Sequence, residues 1–226
     1  MSRLVAFGCS NTYGEGLPDC WDDGQAGPKP SKYVWPQLLA DDLNLECVNL
    51  SVPGTSNKQI CNDILNTNFK PTDIVFIMWT YFSRTCCFQD NDNDESKFGN
   101  SSKSKRIMVQ DTHNKNFNRK RQKYNDTYYR NFYTQTNSNI ETYMYVNLSK
   151  LMLREKEIKN YHVSCNHTQD KLIFNYSPPD WNQTDVYNIN DVPCVDEALD
   201  NVHPGIESQK EFFRRIKKHA ALKETL

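Results

Sequence analysis

The amino-acid sequence predicts an α/β fold with a parallel central sheet. Apolar, strand-like segments alternate with amphipathic, helix-like segments as far as Trp79, which is the order typical of βα repeats. Residues 73–79 are apolar almost without interruption, as are strands that are buried on both faces of a parallel sheet. The chain has 226 residues, and we expect residues 1–226 to form a single domain.

The first part of the chain predicts three strands and two helices. The strands are expected at residues 3–8, 46–50 and 73–79. The first helix is expected to start after Ser31, a candidate N-cap residue, because apolar side chains follow it at helical spacing. The second helix is expected to be capped by Thr55 or Ser56.

The alternation of strands and helices stops after the third strand. Residues 85–125 are polar, with acidic side chains followed by a basic stretch at 103–123, and they predict an insertion or flap. Beyond them we expect helices near 125–136 and 139–157, a strand at 161–165, an irregular segment at 168–198 and a final helix at 205–222. The predicted sheet therefore has four strands, and the insertion leaves it after the third.

Composition and charge argue against several classes of function. The net charge is -1, so no overall field favours nucleic acid or a membrane surface. The sequence has no apolar run of about 18 residues, so we expect no membrane partner. The N-terminus is typical of a strand rather than of a signal peptide, which predicts a cytoplasmic or intracellular protein. The Asn-rich, aliphatic-poor composition is consistent with a viral gene, and the oligomeric state is left open.

The eight cysteines indicate reduced thiols rather than a disulfide framework or a metal site. Several of them lie within apolar strand-like or helix-like segments, where buried thiols are common. No pair has the C-x-x-C spacing of zinc and redox sites. Four of the five histidines are expected to be structural or solvent-exposed, namely His113, His162, His167 and His219. The sequence therefore predicts no metal and no organic cofactor.

Two short segments at opposite ends of the chain hold the side chains of a serine hydrolase. Ser10 follows the first predicted strand, and Asp200 and His203 precede the last predicted helix. A serine hydroxyl becomes a nucleophile when a histidine accepts its proton, and a carboxylate can orient that histidine. Because open α/β sheets bind ligands at the carboxyl ends of their strands, we expect these residues to converge there. The backbone N–H groups of Ser10 and Gly54 are the natural donors to an oxyanion.

Three motifs in this order resemble the SGNH (GDSL-type) hydrolases. They are the segments 8–14 (GCSNTYG), 49–57 (NLSVPGTSN) and 200–204 (DNVHP). The resemblance implies a flavodoxin-like three-layer sandwich around a central parallel sheet. It also implies that Ser10 is the nucleophile and that Gly54 donates to the oxyanion hole. His203 would then be the base, and Asp200 the residue that orients it.

The third motif block departs from the pattern of that family. SGNH hydrolases usually have G-x-N-D after the third strand, whereas residues 79–84 read WTYFSR and contain no asparagine. Cys9 also stands where the first block has aspartate. The candidates for a replacement oxyanion donor are Thr80 and Tyr81, followed by Ser83 and Arg84. The candidate substrate-binding residues are Asn57, Trp79 and Arg84.

These observations lead to three functional hypotheses. The first is a serine esterase that hydrolyses a small acyl ester through an acyl-enzyme on Ser10, with an O-acetyl group on a carbohydrate as one candidate substrate. The second, prompted by the missing asparagine, is a catalytically silent SGNH-like module that binds carbohydrate or has a structural role. The third is nucleic-acid binding by the basic residues 103–123, which the net charge does not favour.

Overall fold

A five-stranded parallel sheet forms the centre of the protein in this computed structural model. The structure describes residues 2–22, 24–89, 105–109, 119–164, 186–188 and 194–224. The strands in these ranges are β1 (Arg3–Phe7), β2 (Trp21–Asp22), β3 (Gln25–Ala26), β4 (Glu46–Asn49), β5 (Ile74–Trp79), β6 (Thr85–Gln89), β7 (Lys105–Val109), β8 (Lys159–Ser164) and β9 (Val186–Asn188). The helices are α1 (Ser10–Tyr13), α2 (Trp35–Asp42), α3 (Asn57–Leu65), α4 (Arg119–Asn131), α5 (Gln135–Glu155) and α6 (Ile206–Glu224).

Helices cover both faces of the central sheet, whose strand order is β4-β1-β5-β8-β9. On one face α2 packs with α6, and on the other α3 packs with α5. The hairpins β2–β3 and β6–β7 form separate two-stranded sheets. The central sheet and its two helical layers confirm the predicted flavodoxin-like three-layer sandwich.

The alternation of side chains along the strands explains why there are two cores. Leu4 and Ala6 of β1 pack on the side of α2 and α6, whereas Val5 and Phe7 pack on the side of α3 and α5. A strand that is covered on both faces must be apolar throughout, as β5 is. This is the physical basis of the strongest strand signal in the sequence.

The predicted strands are present, with ends that differ by one or two residues. The expectation of an irregular segment at 168–198 is wrong for residues 186–188, which form β9 and pair in parallel with β8. This strand has three residues, which is too short to produce a recognisable hydrophobic period. Residues 165–185 and 189–193 lie outside the described ranges.

The helix expected after Ser31 begins four residues later, at Trp35. The Ser31 hydroxyl donates to the carboxylate of Asp19 at 2.5 Å and accepts from the N–H of Tyr33 at 3.0 Å. Ser31 therefore closes a turn before the helix instead of capping it.

The last helix begins at Ile206, one residue after the start expected from the sequence. Asp196 caps this helix from a distance, because its carboxylate accepts from the N–H groups of Glu207 at 3.1 Å and Ser208 at 2.8 Å. Pro204 forms an isolated bridge in the loop that leads to α6.

The segment 85–125 contains the antiparallel hairpin of β6 and β7 and the start of α4. A hydrogen bond of 2.7 Å from the hydroxyl of Tyr129 to the carbonyl of Ser83 ties α4 to the loop after β5. Residues 90–104 and 110–118 lie outside the described ranges, and with them most of the basic stretch. A role of this segment as a flap stays a prediction.

Two further findings concern membrane crossing and cysteine chemistry. No helix in the described ranges is long and apolar enough to cross a membrane. The seven cysteines in these ranges form no disulfide, and four of them are buried. Cys165 lies outside the described residues.

Candidate active site

Ser10 is the first residue of α1, just after the carboxyl end of β1, an inner strand of the central sheet. The chain turns into this one-turn helix through Gly8, where any side chain would collide with that of Thr12. Ser10 is 5% exposed, and within the described ranges neither its backbone N–H nor its hydroxyl has a hydrogen-bond partner. The nucleophile candidate is therefore placed at the expected end of the sheet, with an uncommitted N–H group beside it.

Asp200 and His203 are in direct contact within a tight turn before α6. One carboxylate oxygen of Asp200 lies 2.5 Å from Nδ1 of His203. The other accepts from the backbone N–H groups of Val202 and His203, both at 3.0 Å. The D-x-x-H spacing thus lets one aspartate hold both the turn and the imidazole ring.

The surroundings of Asp200 keep it ionised. Burial by itself would raise the pKa of Asp200, but hydrogen bonds from the backbone and ring of His203 and from the Val202 N–H outweigh it. The pKa of Asp200 therefore lies below its ordinary value. The orienting residue is a carboxylate at neutral pH, as its proposed role requires.

The Asp200–His203 turn packs against the chain that leaves α1. The N–H of Leu199 donates to the carbonyl of Gly16 at 2.9 Å. A Cβ at Gly16 would lie 2.7 Å from the carboxyl carbon of Asp200, so the two backbones can approach this closely because residue 16 is glycine. These contacts bring the first and last motifs together in space.

Glu15 is a site residue that the sequence analysis missed. Its Oε2 lies 3.7 Å from Nε2 of His203, on the side of the ring opposite Asp200. Burial raises the pKa of Glu15, His203 lowers it, Asp200 and Cys9 raise it, and the net direction is upward. The signal in the sequence was a carboxylate between two glycines, five residues after the candidate serine.

In the described ranges no group of three or more histidine, cysteine, aspartate or glutamate side chains is placed to hold a metal ion.

Ser10 and His203 are neighbours through Glu15 but are not hydrogen-bonded to each other. The N–H of Glu15 donates to the carbonyl of Ser10 at 3.1 Å, while its carboxylate faces the His203 ring. Within the described ranges, no hydrogen bond joins the Ser10 hydroxyl to His203. The structure thus joins Asp200 directly to His203 and places Ser10 in the adjoining segment.

Asn49 joins the second motif to the first by a hydrogen bond. Its amide donates to the carbonyl of Thr12 at 2.7 Å, and its Oδ1 accepts from the N–H of Ser51 at 3.1 Å. Gly54 lies farther along the same loop, with a φ of 70°. The loop of the candidate oxyanion glycine therefore begins against α1.

Asn57 holds the third motif block. It begins α3, after the predicted N-cap Ser56, and is 1% exposed. Its Oδ1 accepts from the Thr80 N–H at 2.8 Å, and its Nδ2 donates to the Thr80 carbonyl at 3.0 Å and to Thr142 Oγ1 at 3.2 Å. The third block lacks the asparagine of the family pattern, and Asn57 of the second motif hydrogen-bonds to this block. The amide group of Asn57 is therefore bonded within the protein.

The remaining candidates differ in accessibility. Trp79 is buried, and its indole N–H donates to Nδ1 of His162 at 3.0 Å. Tyr81 is 43% exposed, and the guanidinium of Arg84 lies 4.7 Å from its ring centre. Arg84 also donates to Thr80 Oγ1 at 3.1 Å. Among the candidate substrate-binding residues, Arg84 is partly exposed, whereas Trp79 and Asn57 are buried; Tyr81, a candidate oxyanion donor, is exposed.

Solved structures share this architecture. The chain aligns over 97% of its length with 68% of a carbohydrate esterase whose active site is described as having divergent catalytic and non-catalytic binding functions, with 12% identity and a TM-score of 0.54. It also aligns over 99% of its length with 64% of an acetyl xylan esterase from the rumen bacterium Butyrivibrio proteoclasticus, with 13% identity and a TM-score of 0.52. The chain has the SGNH-hydrolase fold.

A protein assigned to the G-D-S-L lipolytic family from Desulfitobacterium hafniense DCB-2 also shares this fold. The alignment covers 96% of this chain and 98% of that one, with 12% identity and a TM-score of 0.50. No protein-family model matches the sequence, and the search of curated proteins found no match. The comparisons thus confirm the SGNH fold that the three motifs suggested, and the chemistry of this protein has to be argued from its own residues.

Proposed function

We propose that the protein is a serine esterase that hydrolyses a small acyl ester through an acyl-enzyme on Ser10. The observation that supports this most strongly is the hydrogen bond between Asp200 and His203, in a turn packed against the segment that follows Ser10. The esterases among the structures with the same fold support the class of reaction. An O-acetyl group on a carbohydrate is the substrate we would examine first, because one of those proteins is named a carbohydrate esterase and the other an acetyl xylan esterase.

Acylation begins when the Ser10 hydroxyl oxygen attacks the ester carbonyl carbon. The hydroxyl proton passes to Nε2 of His203, and Asp200 stabilises the imidazolium through Nδ1. His203 then gives this proton to the alkoxy oxygen as the bond between carbon and alcohol breaks. Because catalytic hydrogen bonds often tighten only with substrate present, we expect Ser10 and His203 to approach each other in the complex.

Deacylation repeats the same proton transfers with water. A water molecule attacks the acyl carbon while His203 accepts its proton. The bond to Ser10 breaks, the Ser10 oxygen recovers a proton from His203, and the carboxylic acid leaves. One ester and one water thus give one acid and one alcohol, and the enzyme is restored.

The oxyanion would be held by two backbone donors, the N–H groups of Ser10 and Gly54. The Ser10 N–H has no other partner in the described ranges, which suits this role. The Thr80 N–H is bonded to Asn57, so it would have to leave that bond in order to contribute. Because each such donor typically accelerates reaction about 10²- to 10³-fold, an enzyme with two would be slower than one with three.

A catalytically silent module with the same fold is the second candidate. Two observations favour it: the Ser10 hydroxyl has no bond to His203, and the Thr80 N–H is committed to Asn57. Both are compatible with a protein that binds an ester or a carbohydrate without turning it over.

Labelling with a fluorophosphonate, together with hydrolysis of p-nitrophenyl acetate, separates the two candidates. The variants are Ser10→Ala and, as a matched control, Ser2→Ala, which removes a hydroxyl at the opposite end of β1. The esterase proposal predicts labelling and turnover in wild type and Ser2→Ala, with both lost in Ser10→Ala. If wild type and Ser10→Ala are equally inert in both assays, the esterase proposal is wrong.

A further inference from the structure

We infer that Glu15 is a positioning residue of this site, which faces Nε2 of His203 and stabilises the imidazolium that forms when Ser10 gives up its proton. The contact between Glu15 and His203 is independent of the reaction. The catalytic consequence rests on the proposed esterase function.

The imidazole of His203 lies between two carboxylates. Asp200 holds Nδ1 at 2.5 Å, and Glu15 faces Nε2 at 3.7 Å, with side-chain exposures of 7% and 23%. A separation of 3.7 Å is too long for a hydrogen bond but close enough for a strong interaction between charges. Glu15 can therefore act on the charge of the ring while leaving the hydrogen-bonding position of Nε2 to Ser10 or a leaving group.

The backbone around Glu15 is fixed by the two glycines beside it. Gly14 and Gly16 have φ values of 83° and 85°, in the left-handed region that side chains disfavour. A Cβ at Gly14 would lie 2.6 Å from that of Ser31, and one at Gly16 would meet the Asp200 carboxylate. The turn that ends α1 and contacts the catalytic aspartate is thus the same turn that presents Glu15 to His203.

The charges around Glu15 explain why His203 is its partner. Burial, Asp200 and Cys9 all disfavour the ionised carboxylate and so raise the pKa of Glu15, whereas His203 and Arg84 favour its ionised form. A half-buried carboxylate next to a second carboxylate is costly unless a cation offsets it. The imidazolium that forms when His203 accepts the Ser10 proton would be that cation, 3.7 Å from Oε2 of Glu15.

Removal of this negative charge has two opposite effects on catalysis. The imidazolium formed during acylation loses a stabilising neighbour, so the maximal kcat/KM falls. The same loss makes His203 release its proton more readily, so the base form is available at lower pH. Glu15→Gln should therefore lower the plateau of the pH profile and move its acidic limb toward lower pH.

The direct test is a histidine NMR titration of wild type and Glu15→Gln, with the His203 signals assigned from the spectrum of His203→Asn. We expect the His203 ring signals of Glu15→Gln to change at a lower pH than those of wild type, because a negative charge beside Nε2 has been removed. Glu15→Asp, which keeps a more distant charge, should give a smaller shift in the same direction. Glu155→Gln removes one carboxylate at the exposed end of α5 and should leave the midpoint unchanged.

The titration tests the role of Glu15 and the activity assays test the esterase proposal, so each proposal can be contradicted without the other. If the midpoint is unchanged in both Glu15 variants and a fluorophosphonate labels wild-type protein at Ser10, the inference is wrong. The esterase proposal then stands. A shifted midpoint in a protein that neither reacts with the probe nor hydrolyses esters supports the contact and removes the esterase proposal. In an active enzyme, an unchanged acidic limb of the pH profile in Glu15→Gln also contradicts the inference. An unchanged limb is what a purely structural role of Glu15 would give.

Discussion

At the scale of single residues, the site depends on how His203 is held. One carboxylate oxygen of Asp200 contacts Nδ1 of the His203 ring, and the other accepts from the backbone N–H groups of the turn. Asparagine at 200 would still accept the turn's N–H groups, but its NH₂ group cannot accept the Nδ1 proton. The ring would then favour the wrong tautomer for a base that acts through Nε2.

Asp200→Asn is expected to lower kcat by about 10³- to 10⁴-fold with a much smaller change in KM. The contrast is Asp196→Asn, which removes a carboxylate that caps α6. That variant should lower the melting temperature and leave kcat within a few-fold of wild type. Steady-state kinetics and thermal unfolding of both variants check the prediction, and equal losses of kcat in the two would contradict it.

The sequence identified the proposed site residues whose chemistry is distinctive, but not Glu15, whose proposed role is positional. Ser10, Asp200 and His203 have the side-chain types of a serine hydrolase, in an order that a known family shares. Glu15 has no such signature, because a glutamate between glycines is equally typical of a surface turn. Its role follows from a turn packing against a segment almost two hundred residues away, which no local pattern encodes.

At the scale of elements, the loops at the carboxyl ends of the strands are joined by buried side-chain amides. Asn49 joins the loop after β4 to α1, and Asn57 joins the start of α3 to the loop after β5. A bond between elements also explains one difference from the expectation for the helices. Ser31 was expected to cap α2, but its hydroxyl donates to Asp19 and the helix begins at Trp35.

Asn57→Ala leaves the N–H and carbonyl of Thr80 buried without their side-chain partner. We expect a loss of roughly 2–4 kcal/mol in the free energy of unfolding, since each unsatisfied buried group costs about 1–3 kcal/mol. We also expect kcat/KM to fall at least about tenfold, because the Thr80 loop would shift beside the site. Urea denaturation and kinetics measure the two effects, with Asn66→Ala at the exposed end of the same helix as control. A fully stable, fully active Asn57→Ala would show that the amide does not position this loop.

At the scale of the whole molecule, the parallel sheet was predictable because its inner strands, above all β5, are buried on both faces. The strand order and β9 were not, since a three-residue strand has no measurable period and strand order depends on long-range pairing. The end of the sheet opposite the site is closed by an ion pair between Arg3 and Asp73. Two hydrogen bonds of 2.9 and 2.6 Å join their side chains and so link β1 to the start of β5.

This ion pair predicts how stability depends on pH. Burial alone would raise the pKa of Asp73, but the hydrogen bonds and charge of Arg3 outweigh it, so the pKa is lowered. A lowered folded-state pKa gives stability that is present above the unfolded value of about 3.9 and is lost as pH falls through the folded value. Asp73→Asn should therefore cost on the order of 3 kcal/mol at pH 7 and progressively less below about pH 4.

Urea denaturation of wild type and Asp73→Asn at pH 7 and pH 3 measures this difference. Asp42→Asn is the matched control, because Asp42 forms an exposed ion pair with Lys217 and should contribute less than about 1 kcal/mol at either pH. A destabilisation by Asp73→Asn that is the same at both pH values would rule out an ionised Asp73 as its source.

The proposed mechanism requires that Ser10 carries the acyl group during turnover. Mass spectrometry can test this on peptides from wild-type protein that has been mixed with p-nitrophenyl acetate and quenched in acid. We expect one added acetyl group on the peptide that contains Ser10, and no such adduct in Ser10→Ala. Turnover without an adduct on Ser10, an adduct confined to another residue, or no reaction at all would contradict it.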